Sequence, residues 1–236
     1  KKIKRGNNIL NQINSIISSY KIANIQSLPP MTSSFFGYLS YENINNIENI
    51  MKNKKTDTLL IPDCLLFIPE TLVVYDNQKS ILYITKIINN KISYTKNIYQ
   101  KLIYEFEKII NDIMINNNYE KINFNKRKKI TPKSNISKSK FIKNINISKK
   151  YIKDGDIFQV VPSHRFSANY NSTGKKLYQV LRKTNPSPFL YYFNLPNFNI
   201  VGSSPEILVR LRDDIVTIRP IAGTRPRGKN KKQDRS

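Results

Sequence analysis

Three stretches in the second half of the sequence combine glycine or proline with polar or charged residues at expected strand ends, where backbone groups are left free to meet a ligand. They are Gly155-Asp156-Ile157-Phe158-Gln159-Val160-Val161-Pro162-Ser163, Asn185-Pro186-Ser187-Pro188-Phe189-Leu190 and Arg219-Pro220-Ile221-Ala222-Gly223-Thr224-Arg225-Pro226-Arg227-Gly228. Taken singly, each also reads as plain architecture: a strand opening, a helix-stopping turn and a proline-rich basic loop. Other chemistries are poorly supplied. The single cysteine, Cys64, cannot form an internal disulfide, and the single histidine, His164, leaves no Cys/His cluster for a structural zinc. No G-x-G-x-x-G, P-loop, H-E-x-x-H or C-x-x-C pattern occurs.

The elements that must carry these stretches follow from periodicity. Ile9, Leu10, Ile13, Ile16, Ile17 and Tyr20 recur at spacings of three and four, which predicts an amphipathic helix over 8–22, stopped by Pro29-Pro30. Phe35 to Tyr41 reads as a strand containing Gly37. Leu65–Ile68 is a second strand, and Thr71–Tyr75 with Ile81–Ile87 forms a hairpin around Asp76-Asn77-Gln78-Lys79. A long helix over 94–115 turns Tyr99, Leu102, Ile103, Phe106, Ile109, Ile110 and Ile113 toward a core. Ser137 caps a helix over 138–153 that buries Phe141, Ile142, Ile145 and Ile152 and stops at Gly155. Strands are then expected over Ile157–Phe166, Phe189–Phe193, Ile200–Gly202, Ile207–Leu211 and Ile215–Pro220, with a helix over Lys175–Arg182. Antiparallel hairpins interrupted by long helices point to an α+β fold of layered antiparallel sheets with packed helices.

The 236 residues carry 40 Lys and Arg against 16 Asp and Glu, a formal charge of +24. Such an excess is the footprint of a polyanion-binding protein. Yet 36 Ile, 30 Lys and 30 Asn dominate the composition, and all three are encoded by A/T-rich codons, so genomic drift explains much of the charge. Between Lys121 and Lys153 there are 11 Lys, one Arg and no acidic residue. Its three aromatic residues, Phe124, Phe141 and Tyr151, are not interleaved with the charges as stacking platforms would require, so that run reads as linker and helix surface. The 39% hydrophobic content excludes a chain disordered throughout. No run approaches the roughly 18 to 20 apolar residues of a membrane span, so a soluble protein of a reducing compartment is expected.

Taken together and in this order, GDIFQV, NPSPFL, Gly202-Ser203-Ser204-Pro205-Glu206 and PIAGTRPRG resemble the chorismate-utilising enzymes, and among them the large subunits, component I, of anthranilate synthase. The resemblance is strong from about Ser137 to Arg235 and weaker before it, where Phe36-Gly37-Tyr38-Leu39-Ser40-Tyr41-Glu42 and Pro69 to Asn77 match the N-terminal region. It implies an N-terminal region over 1–115 lacking its beginning, a linker over 116–136, and the first part of a chorismate-binding catalytic domain over 137–236, a truncated form of that family's fold.

The implied activity converts chorismate and ammonia to anthranilate and pyruvate, the first committed step of L-tryptophan synthesis, with Mg²⁺ holding the substrate. Gly223 and Thr224 are the implied chorismate contacts: backbone N–H groups and a hydroxyl that can meet a carboxylate. Arg225 and Arg227 either add direct contacts or support the loop through ion pairs. Ala222 stands where the related aminodeoxychorismate synthases typically carry a nucleophilic lysine, which favours direct addition of ammonia. Pro188, Phe189 and Leu190 match the positions that contact the feedback inhibitor L-tryptophan, the other wall of that pocket lying upstream of Lys1.

The catalytic histidine and the Mg²⁺ ligands are expected beyond Ser236, so residues 1–236 are expected to hold no catalytic or metal-binding residue and to be inactive alone. His164, placed where the family carries glutamine or arginine, is expected to be structural, and Cys64 to be a packed side chain. Ammonia would come from a glutamine amidotransferase subunit, since no Cys-His-Glu triad is present; neither nucleic acid nor membrane is an expected partner, and the location is cytoplasmic. An aminodeoxychorismate or isochorismate-type enzyme remains the alternative within the superfamily, and a basic nucleic-acid-binding module the alternative outside it. The lack of an initiating Met and the polar run Lys229–Ser236 suggest an internal piece of a longer protein.

Overall fold

The computed structural model describes residues 8–20, 27–48, 50, 58–88, 96–115, 130–221, 226–230 and 233–234. The chain divides into two units, Lys1–Asn118 and Tyr119–Ser236. Among the described residues no side chain is fully buried, and the most protected are half-buried on the inner faces of small sheets and helices. The class is α+β: four α-helices, one 3-10 helix and five two-stranded antiparallel sheets among the described residues.

In the first unit, α1 (Ile9–Ser19) starts at Asn8, whose Oδ1 accepts the Leu10 N–H at 2.9 Å. The amide of the same Asn8 donates to the Asn46 carbonyl at 3.1 Å, tying the helix start to the 3-10 turn Tyr41–Asn46. Strand β1 (Phe36–Leu39) pairs with β2 (Cys64–Phe67), with Gly37 opposite Leu66. Gly37 has φ +147°, and a Cβ there would lie 1.9 Å from the Leu65 carbonyl oxygen, so glycine is required. The hairpin of β3 (Thr71–Asp76) and β4 (Ile81–Lys86) turns through an Asp76 carboxylate that accepts the Gln78 and Lys79 N–H groups, and closes on Ser80 at φ +55°.

Helix α2 (Lys96–Ile115) protects Ile98, Leu102, Glu105, Phe106 and Ile109. That stripe is narrower than expected: Tyr99, Ile103, Ile110 and Ile113 are exposed. A carboxylate stands in it because Glu105 accepts a hydrogen bond from Lys86 at the end of β4, whose side chain is only 17% exposed and also meets Glu70 at 3.1 Å. The Glu105 contact holds the Lys86 ammonium above its ordinary range, with Glu70 reinforcing it, and holds the Glu105 carboxyl below its own.

In the second unit, α3 (Lys138–Lys153) begins as expected: Ser137 accepts the Lys140 N–H at 3.2 Å. It ends at Gly155, whose φ of +83° only glycine adopts without strain. Phe141, Ile145 and Ser148 form its protected stripe, whereas Ile142 and Ile152 are about half exposed. Residues 133–134, inside the expected linker, form β5 (Lys133–Ser134), paired with β6 (Phe166–Ser167).

The expected strand over Ile157–Phe166 is not found; only its end is paired, through Phe166 at the start of β6 and through Arg165, whose carbonyl accepts the Asn135 N–H at 3.0 Å, and Phe158 is fully exposed. Alternating apolar residues make a surface fit for pleating, but a strand exists only with a ladder partner, and Pro162 has no N–H to donate to one. Helix α4 (Gly174–Thr184), capped by Thr173, lies against the hairpin of β7 (Phe189–Asn194) and β8 (Asn199–Ser204), where Tyr178 stacks on Tyr192 at 6.1 Å. A last hairpin, β9 (Arg210–Arg212) and β10 (Ile215–Thr217), turns at Asp213-Asp214, both with positive φ as a type I′ turn demands. Residues 207–209 and 218–220 lie outside these two strands, which are shorter than expected.

Candidate functional site

The residues expected to contact the substrate, Gly223 and Thr224, lie outside the described residues, as do Ala222 and Arg225. Both stems of their loop are described, and each is held by a carboxylate. Upstream, Glu206 Oε1 accepts the Ile221 N–H at 3.1 Å, so the acid of the Gly202–Glu206 stretch grips the residue just before Ala222. Downstream, Asp234 accepts the Gly228 N–H at 2.6 Å through Oδ1 and pairs with the Arg227 guanidinium at 2.9 Å through Oδ2. Lys229 N–H donates to Gln233 Oε1 at 3.0 Å, and Asp234 N–H to the Asn230 carbonyl at 3.1 Å, closing a small turn beneath Asp234. Arg227 is thus ion-paired to Asp234 while its side chain stays 91% exposed, so loop support and direct contact both stay open to it.

Pro188 and Phe189 are exposed at the start of β7, whereas Leu190 is half-buried. Register puts Phe189 opposite Ser204 and Leu190 opposite Ser203. Tyr192 faces α4, so strand alternation turns Leu190 the same way and leaves Phe189 on the opposite face. The Phe189 ring is thus on the face away from α4, while the Leu190 side chain turns toward α4. Beside them Gly202 faces Tyr191, and a Cβ there would stand 2.1 Å from the tyrosine ring. The loop before β7 is pinned by hydroxyls: Ser203 Oγ lies 2.8 Å from the Asn185 carbonyl oxygen and 2.8 Å from Ser187 Oγ, and Ser187 Oγ lies 2.8 Å from the Ser204 carbonyl oxygen.

The Gly155–Ser163 stretch follows α3 and leads to His164, whose ring is clamped between Phe141 and Phe166 with centroids 4.6 and 4.3 Å away. That is a packing role. Burial pushes the Cys64 thiol up, away from the thiolate a nucleophile needs. A shallow concavity lined by Ser139, Ile142, Lys143, Asn146, Ile147 and Lys150 follows one face of α3 and includes none of the site residues. Among the described residues no group of three His, Cys, Asp or Glu side chains could hold a metal ion, and no helix is long and apolar enough to cross a membrane.

Sequence reasoning did not assign a role to Glu206, Asp234, Ser187 or Ser203. Glu206, Ser203 and Ser187 do lie inside the stretches that carry the resemblance; their partners lie 15 to 18 residues away, beyond any periodic signal.

A family model described as chorismate binding enzyme matches residues 4–236. Anthranilate synthase component 1 of Acetivibrio thermocellus is 36% identical over 230 residues, covering 94% of this chain and 46% of that protein. The protein of the same name from Bacillus subtilis is 34% identical over 245 residues, covering 99% of this chain and 47% of its own. The crystal structure of anthranilate synthase component I from Streptococcus pneumoniae matches with a TM-score of 0.72 and 27% identity, over 88% of this chain and 46% of that one. The chain spans about half the length of the curated relatives it matches.

Proposed function

The chain belongs to the chorismate-binding enzyme family, and from that premise we propose that its gene product is the large subunit of an anthranilate synthase. The observation that carries the reading is the match of nearly the whole chain to proteins of that name, with the expected substrate loop gripped at both stems by Glu206 and Asp234. In this reading the N–H groups of Gly223 and Thr224 and the Thr224 hydroxyl receive a chorismate carboxylate, and carboxylates at the stems fix where those donors point. Ammonia adds at C2 of chorismate as the C4 hydroxyl leaves with a proton as water. Elimination then releases pyruvate and aromatises the ring to anthranilate. Ala222 offers no amine to compete with ammonia for the ring.

A glutamine amidotransferase subunit supplies the ammonia, and L-tryptophan binds at the Pro188–Leu190 segment as feedback inhibitor. Mg²⁺ is part of the reading by resemblance; the described residues offer no group of three ligands for it. Residues 1–236 alone are catalytically silent.

The test is product identity. The complete gene product, given chorismate, ammonium and Mg²⁺, should yield anthranilate, seen by fluorescence and chromatography. A 4-amino product or isochorismate would reassign it within the superfamily, and anthranilate from purified residues 1–236 would refute their assigned inactivity.

A further inference from the structure

The Asn185–Pro188 loop joins α4 to β7, and its backbone is short of donors because Pro186 and Pro188 have no N–H. Side-chain hydroxyls take over the anchoring. Ser203 Oγ touches both the Asn185 carbonyl and Ser187 Oγ, and Ser187 Oγ touches the Ser204 carbonyl, each at 2.8 Å. Two hydroxyl protons therefore serve three contacts. Either Ser203 donates to Ser187, which donates on to Ser204, or Ser203 donates to Asn185 while Ser187 donates to Ser203 or to Ser204. In every ordering the loop stays attached to β8.

The anchoring residues are also the cross-strand neighbours of the ligand-facing segment. Ser204 stands opposite Phe189 and Ser203 opposite Leu190. Strand β8 thus holds Pro188 from both sides, upstream through hydroxyls and downstream through the ladder. We infer that Ser187 and Ser203 are positioning residues for Pro188–Leu190, setting the affinity of that segment for an amino-acid effector and leaving chorismate affinity alone. The inference rests on the effector reading proposed above. It adds to that reading the residues that fix the segment's conformation.

The test compares Ser203→Ala, Ser187→Ala and Ser203→Thr with the unaltered complete gene product. Amide hydrogen exchange followed by mass spectrometry reports on residues 185–190, with α3 as internal control. Exchange there should quicken by about fivefold to tenfold in both alanine variants, the loss of roughly one net hydrogen bond, and remain unchanged in α3. The L-tryptophan concentration for half-inhibition should rise by a similar factor, about fivefold to tenfold, while the chorismate KM stays within about twofold. Ser203→Thr, which keeps the hydroxyl, should restore both. Unchanged exchange overturns the inference, and so does a shift of KM as large as that of inhibition. Insensitivity of the unaltered enzyme to millimolar L-tryptophan overturns the effector reading, and the exchange comparison then still decides whether the two hydroxyls hold the loop.

Discussion

Replacing Gly37 by alanine should strongly destabilise the first unit. The new Cβ would lie 1.9 Å from the Leu65 carbonyl oxygen, 2.9 Å from its carbon and 3.0 Å from the Leu66 Cα, all backbone atoms that no rotamer change can move. Restoring an ordinary contact of about 3.5 Å requires β1 and β2 to separate locally by about 1.6 Å. That is enough to break the ladder hydrogen bonds on either side. Two lost bonds cost about 1 to 3 kcal/mol, and holding alanine at φ +147° costs about 1 to 3 kcal/mol more.

A loss near 4 kcal/mol is a large share of the roughly 5 to 15 kcal/mol that stabilises a domain, and lowers its melting temperature by about 15 to 30 °C. Gly155→Ala is the control: its φ is +83°, yet its Cβ would meet nothing within 4 Å, so only the backbone cost of about 1 to 2 kcal/mol applies. Calorimetry, with limited proteolysis to localise the opening, separates the two. A Gly37→Ala protein that melts no lower than Gly155→Ala would refute the β1–β2 register and the reasoning built on it.

Glu105→Gln should lower the melting temperature near neutral pH. The Glu105 pKa is depressed, chiefly by the Lys86 hydrogen bond, so its contribution is complete above the ordinary glutamate value of about 4.3 and is lost as pH falls through the depressed one. The raised Lys86 pKa contributes below about 10.4 and fades as pH rises through its folded value. A difference between the proteins that stays constant from about pH 3 to about pH 8 would contradict this pairing. His164→Phe should preserve the clamp of Phe141 and Phe166, whereas His164→Ala should cost about 1 to 3 kcal/mol by thermal melting. Both variants should leave the chorismate turnover of the complete gene product unchanged. The Lys121–Lys153 run should bind random duplex DNA only weakly and lose it by about 0.2 M salt; a steep logarithmic salt slope with tight binding would instead reveal a phosphate-binding face.

Helix α3 was readable from sequence to the residue, since Ser137 and Gly155 act on backbone groups within one turn of themselves. The β7–β8 hairpin was also legible, because its apolar residues occur in two short β-rich runs separated by a turn. The stretch Ile157–Phe166 has a comparable pattern and forms no strand before Phe166, because pairing depends on a partner that local pattern does not specify. Glu105 reads as a polar interruption of an apolar stripe until Lys86 is seen across from it. The site divides in the same way. Resemblance singled out the stretches, but only the folded chain brings Glu206 to Ile221 and Ser203 to Asn185, contacts between backbone and side chain that leave no periodic trace.

Glu206 and Asp234 hold the two stems of the loop that carries Gly223 and Thr224. The deciding measurement is the chorismate KM of the complete gene product carrying Thr224→Val, with anthranilate as readout. Loss of the hydroxyl donor at a charged carboxylate should raise KM by about tenfold or more, with L-tryptophan inhibition unchanged. A KM equal to that of the unaltered enzyme would contradict the placement of chorismate at Gly223 and Thr224.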